Sequence, residues 1–166
     1  MFLPIVDHAS SPAPNEVLEA FLKAFPEAKN IGVIYSQSEL EEAVKKLEES
    51  AVSKGVRVIK SRVSSIPEFS KSLSEMKGKV DTFWVIDESL FSIQEVWNYF
   101  IIFNFRHQIK TVVFTEKSLS QGGLFYCPES EKIVINKRVM EMSGFKVSGE
   151  AGPVTYYSAK ESQEKD

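Results

Sequence analysis

Three short polar clusters each follow an apolar run, and they carry the residue types from which a site could be built. Ser36-Gln37-Ser38 follows Asn30-Ile31-Gly32-Val33-Ile34-Tyr35, Asp87-Glu88-Ser89 follows Val80-Asp81-Thr82-Phe83-Trp84-Val85-Ile86, and Thr115-Glu116 closes Thr111-Val112-Val113-Phe114. Hydroxyls, a side-chain amide and carboxylates can orient a small polar ligand through hydrogen bonds. Asp87 and Glu88 together could also do acid/base work or hold a ligand amine, while adjacent acids at the end of an apolar run are equally often no more than solvated surface.

Named chemistries make sharper demands. A phosphoacceptor domain would use Asp87 and Thr115, but its first strand should deliver an acidic pair where this chain has Ser36-Gln37-Ser38. A phosphate cradle needs glycine in that loop, and Gly32 lies inside the apolar run instead, so neither a dinucleotide fingerprint nor a Walker loop is present. Cys127 is the only cysteine, which excludes an intrachain disulfide and a thiolate zinc site made by this chain alone. As a nucleophile it would need His8 or His107. His107 falls at the end of a helical pattern, where its positive form suits the helix dipole, and His8 lies in a turn-rich leading segment. The two histidines have no metal-ligand spacing. Catalytic residues, metal and cofactor are therefore expected to be none.

The elements that must position these clusters are legible from periodicity. Four apolar residues around one glycine, flanked by helical patterns, read as a central parallel strand covered on both faces, and ligands sit beyond the carboxyl ends of such strands. Phe2 to Val6 could form a short strand before the turn residues Ser10 to Pro14. Val17, Leu18, Phe21, Leu22 and Phe25 recur at helical spacing, with Asn15 as N-cap. Ser38 with Glu41 three residues on has the capping-box pattern, opening a helix whose inward stripe is Leu40, Ala43, Val44, Leu47 and Ala51. Val56 to Val63 alternates like a strand near a sheet edge. Ser65-Ile66-Pro67-Glu68 opens a helix with Phe69, Leu73 and Met76 inward. Ser92 to Gln108 is apolar over a wider stripe, including Val96, Trp97, Phe100, Ile102 and Phe105, than a one-sided surface helix needs. Gly122-Gly123 turns into a strand through Cys127, Ile133 to Asn136 forms another, Asn136 caps a helix ending at Gly144, and Val154 to Tyr157 adds a strand.

Strands alternating with helices predict an α/β fold, a single doubly wound three-layer domain with a mainly parallel sheet over residues 1–158, followed by a polar tail at 159–166. A chain of 166 residues suffices for one domain with a sizeable core. The net charge of −3 and pI near 5.6, without a basic cluster, leave no footprint for nucleic acid. The segment from Val96 to Phe105 is too short to span a bilayer, so no membrane insertion is expected. The leading residues have neither the basic start nor the apolar run of a signal peptide, which reads as cytoplasmic if the chain is complete as given.

Several segments, in order, resemble the ABC-transporter substrate-binding protein family whose better-known members bind tryptophan or related amino acids. They are Leu18 to Ser36, with Phe25-Pro26-Glu27-Ala28-Lys29-Asn30-Ile31-Gly32-Val33-Ile34-Tyr35; Gly78 to Asp87; Gly122-Gly123-Leu124; and Ile133 to Asn136 with Met142-Ser143-Gly144-Phe145. The resemblance covers residues 15 to 147 and starts at the crossover into the second of that family's two lobes. It implies a periplasmic-binding-protein lobe of flavodoxin-like type, an extracytoplasmic location and a non-enzymatic ligand-binding or sensing role. Carried over by position, the ligand-facing residues are Ser36, Gln37, Ser38, Asp87, Glu88, Ser89, Thr115 and Glu116, and the ligand is an amino acid or small carboxylate.

Two departures modify that expectation. The first lobe has no counterpart here, and between Gly123 and Ile133 the family usually inserts a long helical segment where this chain has about ten residues. A single-lobed relative offers an open shelf that a partner surface, or a second copy in a homodimer, would complete. The alternative reading is a protein-interaction subunit that associates through the apolar 92–108 helix, the Trp97 helix being its working surface.

Overall fold

The computed structural model describes residues 12–158, so the expected strand at Phe2 to Val6, His8 and the polar tail lie outside the described residues. Contacts gather the chain into two compact units, one formed by residues 27–113 and one by the segments on either side of it. The fold is α/β, with seven mostly parallel strands.

The terminal unit opens with α1 (Pro14–Ala24), which buries Val17, Leu18, Phe21 and Ala24. Its N-cap is Ala13 rather than Asn15, because Pro14 occupies the first helical turn, where a missing N–H costs nothing.

The 27–113 unit then runs β1 (Asn30–Tyr35), a 3₁₀ turn (Ser38–Leu40), α2 (Glu41–Val52), β2 (Arg57–Arg62), α3 (Ile66–Met76), β3 (Thr82–Val85), α4 (Glu88–Phe91), α5 (Gln94–His107) and β4 (Lys110–Val113). Its strands are all parallel in the order β2-β1-β3-β4. β1, β3 and β4 are almost continuously buried, as parallel strands covered on both faces should be, whereas β2 at the edge alternates between half-buried and exposed positions.

Side-chain alternation along β2 shows where the helices lie. Lys60 and Arg62 point to one face and reach Glu48 and Glu41 of α2, each at 2.9 Å, while Ser61 points to the other and bonds Ser72 of α3 at 2.6 Å. Helices therefore cover both faces, which is the doubly wound arrangement within this unit. On the α3 face, Phe69, Phe83, Phe91, Trp97 and Phe100 form one aromatic cluster with ring centroids 4.7–6.3 Å apart. Gly32 is needed beneath it, since a Cβ there would lie 2.8 Å from the Phe83 ring and 3.1 Å from the Met76 sulfur.

Two helix starts in this unit differ from expectation. Ser38 makes no side-chain cap to α2; it opens the 3₁₀ turn, and the Glu41 carboxylate that would complete a capping box is engaged by Arg62. The expected helix from Ser92 starts at Gln94, because Asp87 first caps the separate single turn α4. Trp97 faces the core, and the outward apolar residues of α5 are Tyr99, Ile102 and Phe105.

The terminal unit continues with α6 (Glu116–Ser120), β5 (Phe125–Glu129), β6 (Lys132–Asn136), α7 (Lys137–Ser143), a 3₁₀ turn (Gly149–Ala151) and β7 (Val154–Tyr157). β5 and β6 form an antiparallel hairpin closed at Ser130-Glu131, and β6 pairs in parallel with β7. The segment between Gly123 and Ile133 is thus a strand and a tight turn. Phe21 packs edge-on against Phe125 at 5.2 Å, fixing α1 to the hairpin, and the Asn136 side chain accepts from the Val139 N–H as the cap of α7.

Candidate functional site

β1 and β3 are parallel neighbours with Gly32 opposite Phe83. Counting onward along both strands places Ser36 opposite Asp87, so the first two polar clusters meet at one sheet edge. Asp87 is only 1% exposed, and both its oxygens are occupied. Oδ2 accepts from the Ser36 N–H at 2.6 Å and the Ser36 Oγ at 2.7 Å, and Oδ1 accepts from the Leu90 N–H at 3.0 Å as the cap of α4. A carboxylate with three donors in a buried position braces two loops and has little capacity left for a ligand amine.

The residues around that brace remain accessible. Gln37 Nε2 donates to Ser89 Oγ at 2.6 Å across the same edge, and Ser38, Glu88 and Ser89 are exposed. Glu88 and Ser89 lie in the first turn of α4, whose orientation Asp87 fixes. Thr115 and Glu116 belong to the terminal unit. There Thr115 caps α6, accepting from the Ser118 N–H at 3.0 Å and donating to Ser118 Oγ at 2.9 Å, with Glu116 exposed in the first turn.

Sequence reasoning missed an open cleft of about 430 Å³ next to this edge, lined by Tyr35, Glu41, Glu42, Lys45 and Lys60. The pairing of β2 with α2 that forms it has no local signal. Of its two lysines, Lys60 is committed: the hydrogen bond and charge of Glu48 hold its ammonium above its ordinary pKa.

The other reactive side chains sit elsewhere. Cys127 is buried in β5, donates toward the Glu129 carbonyl at 3.2 Å, and has its thiol pushed up by burial and then by the charge of Glu16, the opposite of what an activated thiolate needs. His107 ends α5 with its ring 4.4 Å from that of Phe103. Among the described residues, no group of three or more His, Cys, Asp or Glu could hold a metal. No helix among them is long and apolar enough to cross a membrane.

A layer of parallel strands covered by helices, with polar loops at the strand ends, defines an α/β lobe. A sequence model described as ABC transporter substrate binding protein matches residues 10–125, and the chain belongs to that family. Among solved structures, an ABC domain in complex with L-Trp from Streptococcus pneumoniae is similar at TM-score 0.70 and 21% identity, covering 86% of this chain and 60% of that one. A ligand-free, open substrate-binding protein with adhesive properties from Clostridium difficile matches at TM-score 0.70 and 17% identity, over 90% and 61% of the two chains. A conserved domain protein from Vibrio cholerae matches at 0.73 and 16%, over 89% and 61%. The chain thus spans about 60% of the length of these structures, and this partial coverage fits one lobe. No curated protein matches.

Proposed function

We propose that the chain is a non-enzymatic module that binds a small amino acid or carboxylate at the carboxyl ends of β1 and β3. The observation that carries this reading is the pair of loops drawn together by Asp87, which leaves Ser36, Gln37, Ser38, Glu88 and Ser89 around one edge. Asp87 acts there as the brace, and the accessible side chains are the contacts. Membership of a substrate-binding family supports the reading, and the L-Trp complex of a similar structure supplies the first probe. One wall of loops encloses little of a ligand, so affinity is expected to be modest until a partner surface covers the shelf.

Titration calorimetry against L-Trp, the other amino acids and small carboxylates tests this. A saturable heat that Glu88→Gln and Ser89→Ala both weaken supports the site. Absence of any heat across the panel, or a heat indifferent to both substitutions, overturns it.

A further inference from the structure

The outward face of α5 differs in kind from that of α2 in the same unit. α2 presents Glu41, Glu42, Lys45, Lys46 and Glu49 to water, an ordinary solvated face. α5 buries Val96, Trp97, Phe100, Phe103 and Asn104, so its opposite side carries Glu95, Asn98, Tyr99, Ile102, Phe105 and Arg106. Tyr99, Ile102 and Phe105 are 41%, 50% and 47% exposed, spaced three apart along one stripe. The stripe ends in an acid and a base, and among the described residues neither Glu95 nor Arg106 has an ion-pair partner.

We infer that this face pairs with the same face of a second copy of the chain, the two α5 helices running antiparallel. A twofold axis between Phe100 and Ile101 sets each Glu95 against the other copy's Arg106, and each Tyr99 against the other copy's Ile102. Glu95 and Arg106 stand about 16 Å apart along the helix, so both ion pairs close at once with the apolar stripe between them. Parallel pairing would oppose like charges at both ends and is disfavoured. The Tyr99 hydroxyl lies 3.4 Å from Ser70 Oγ of α3. One helix face buries much less than the roughly 800 Å² per partner of a stable complex, so the dimer is weak.

Sedimentation velocity over a concentration series up to about millimolar tests the proposal, that being the range of weak association. The chain should pass from monomer to dimer, and Ile102→Asp should abolish the dimer. Glu95→Arg and Arg106→Glu should each raise the dissociation constant about tenfold, each change acting twice in a symmetric interface. The double exchange restores the complementary pairing and should bring the constant back near its starting value. A chain monomeric throughout, a dimer unaffected by Ile102→Asp, or a double exchange no better than the single ones overturns the inference; the first of these would leave the face to a different protein.

Discussion

At the amino end of the β1–β3 pair, Asp81 Oδ2 accepts from the backbone N–H groups of Lys29 and Asn30 at 2.8 and 2.9 Å, and its Oδ1 accepts from Thr82 Oγ1 at 2.8 Å. At the carboxyl end, Asp87 accepts from Ser36 and Leu90. The chemistry is the same, one carboxylate joining two neighbouring strands, but the surroundings differ. Asp81 is half-buried and its Lys29 partner is exposed, whereas Asp87 is sealed from water. The ladder between the ends is short, with Ile31 opposite Thr82 and Gly32 opposite Phe83; at its start the Asp81 side chain adds to a backbone bond from the Asp81 N–H to the Asn30 carbonyl at 2.9 Å, whereas at the other end the Asp87 side chain joins the loops beyond the paired residues. Asp81 fixes where the strands start. Asp87 fixes where the loops emerge, and hence where any ligand contacts stand.

Exposure should separate the two in a denaturation experiment. Asp87→Ala removes the buried cap of α4 and, with it, two charge-assisted bonds from the half-buried Ser36, an expected loss of about 2–4 kcal/mol. Asp81→Ala should lose about 1–2 kcal/mol, because water can replace the carboxylate at Lys29. Urea midpoints of the two variants with unchanged slopes would measure the difference; equal losses would mean that burial at Asp87 contributes nothing.

Between the two aspartates, Gly32→Ala tests the close approach that holds β1 against β3. The added carbon must displace the Phe83 ring or the Met76 sulfur, at a cost of about 1–3 kcal/mol. Met76 sits at the end of α3 and can yield in part, so Gly32→Ala combined with Met76→Leu should show a coupling in a double-mutant cycle. Additive midpoints would show that only the Phe83 ring resists.

Much of this architecture was legible in the sequence, for reasons that also mark where reading stops. β1, β3 and β4 are continuous apolar runs and α3 has a clean inward stripe, because burial of one face writes itself into local periodicity. The same local pattern is not always realised. Ser65 to Glu68 and Ser38 to Glu41 share the serine and glutamate spacing of a capping box, yet only Ser65 accepts from the N–H three residues on. Arg62, in a different element, takes Glu41. Placing Ser36 and Asp87 each at the carboxyl end of a strand followed from the apolar runs before them, but their adjacency and the use of both Asp87 oxygens could not be seen, since the two are 51 residues apart and carboxylate satisfaction leaves no periodic trace. The Trp97 helix read as a working surface, yet Trp97 itself is buried; apolar residues lie on both sides of α5, mixed on the outer side with Glu95, Asn98 and Arg106, and periodicity does not separate the two sides.

The Ser36 hydroxyl sharpens the comparison at its buried end. Ser36→Ala removes the 2.7 Å bond to Asp87 but keeps the backbone N–H bond to the same oxygen, so a loss of about 1 kcal/mol is expected. A loss as large as that of Asp87→Ala would move the whole brace onto the hydroxyl and leave the backbone bond without weight.

The smallest effect on stability belongs to Gln37, and it separates folding from function at the carboxyl end. Its bond to Ser89 joins two accessible side chains, so Gln37→Ala should change the urea midpoint by less than about 0.5 kcal/mol. Asp87 already holds both loops, and nothing in the packing requires the amide. If these loops bind a ligand, the same substitution should still weaken the calorimetric response, because a side chain the fold does not need is then working on the ligand alone. A destabilisation comparable to Ser36→Ala would instead make the Gln37–Ser89 bond a second brace, and the two ends of the β1–β3 pair would then differ in degree of reinforcement rather than in purpose.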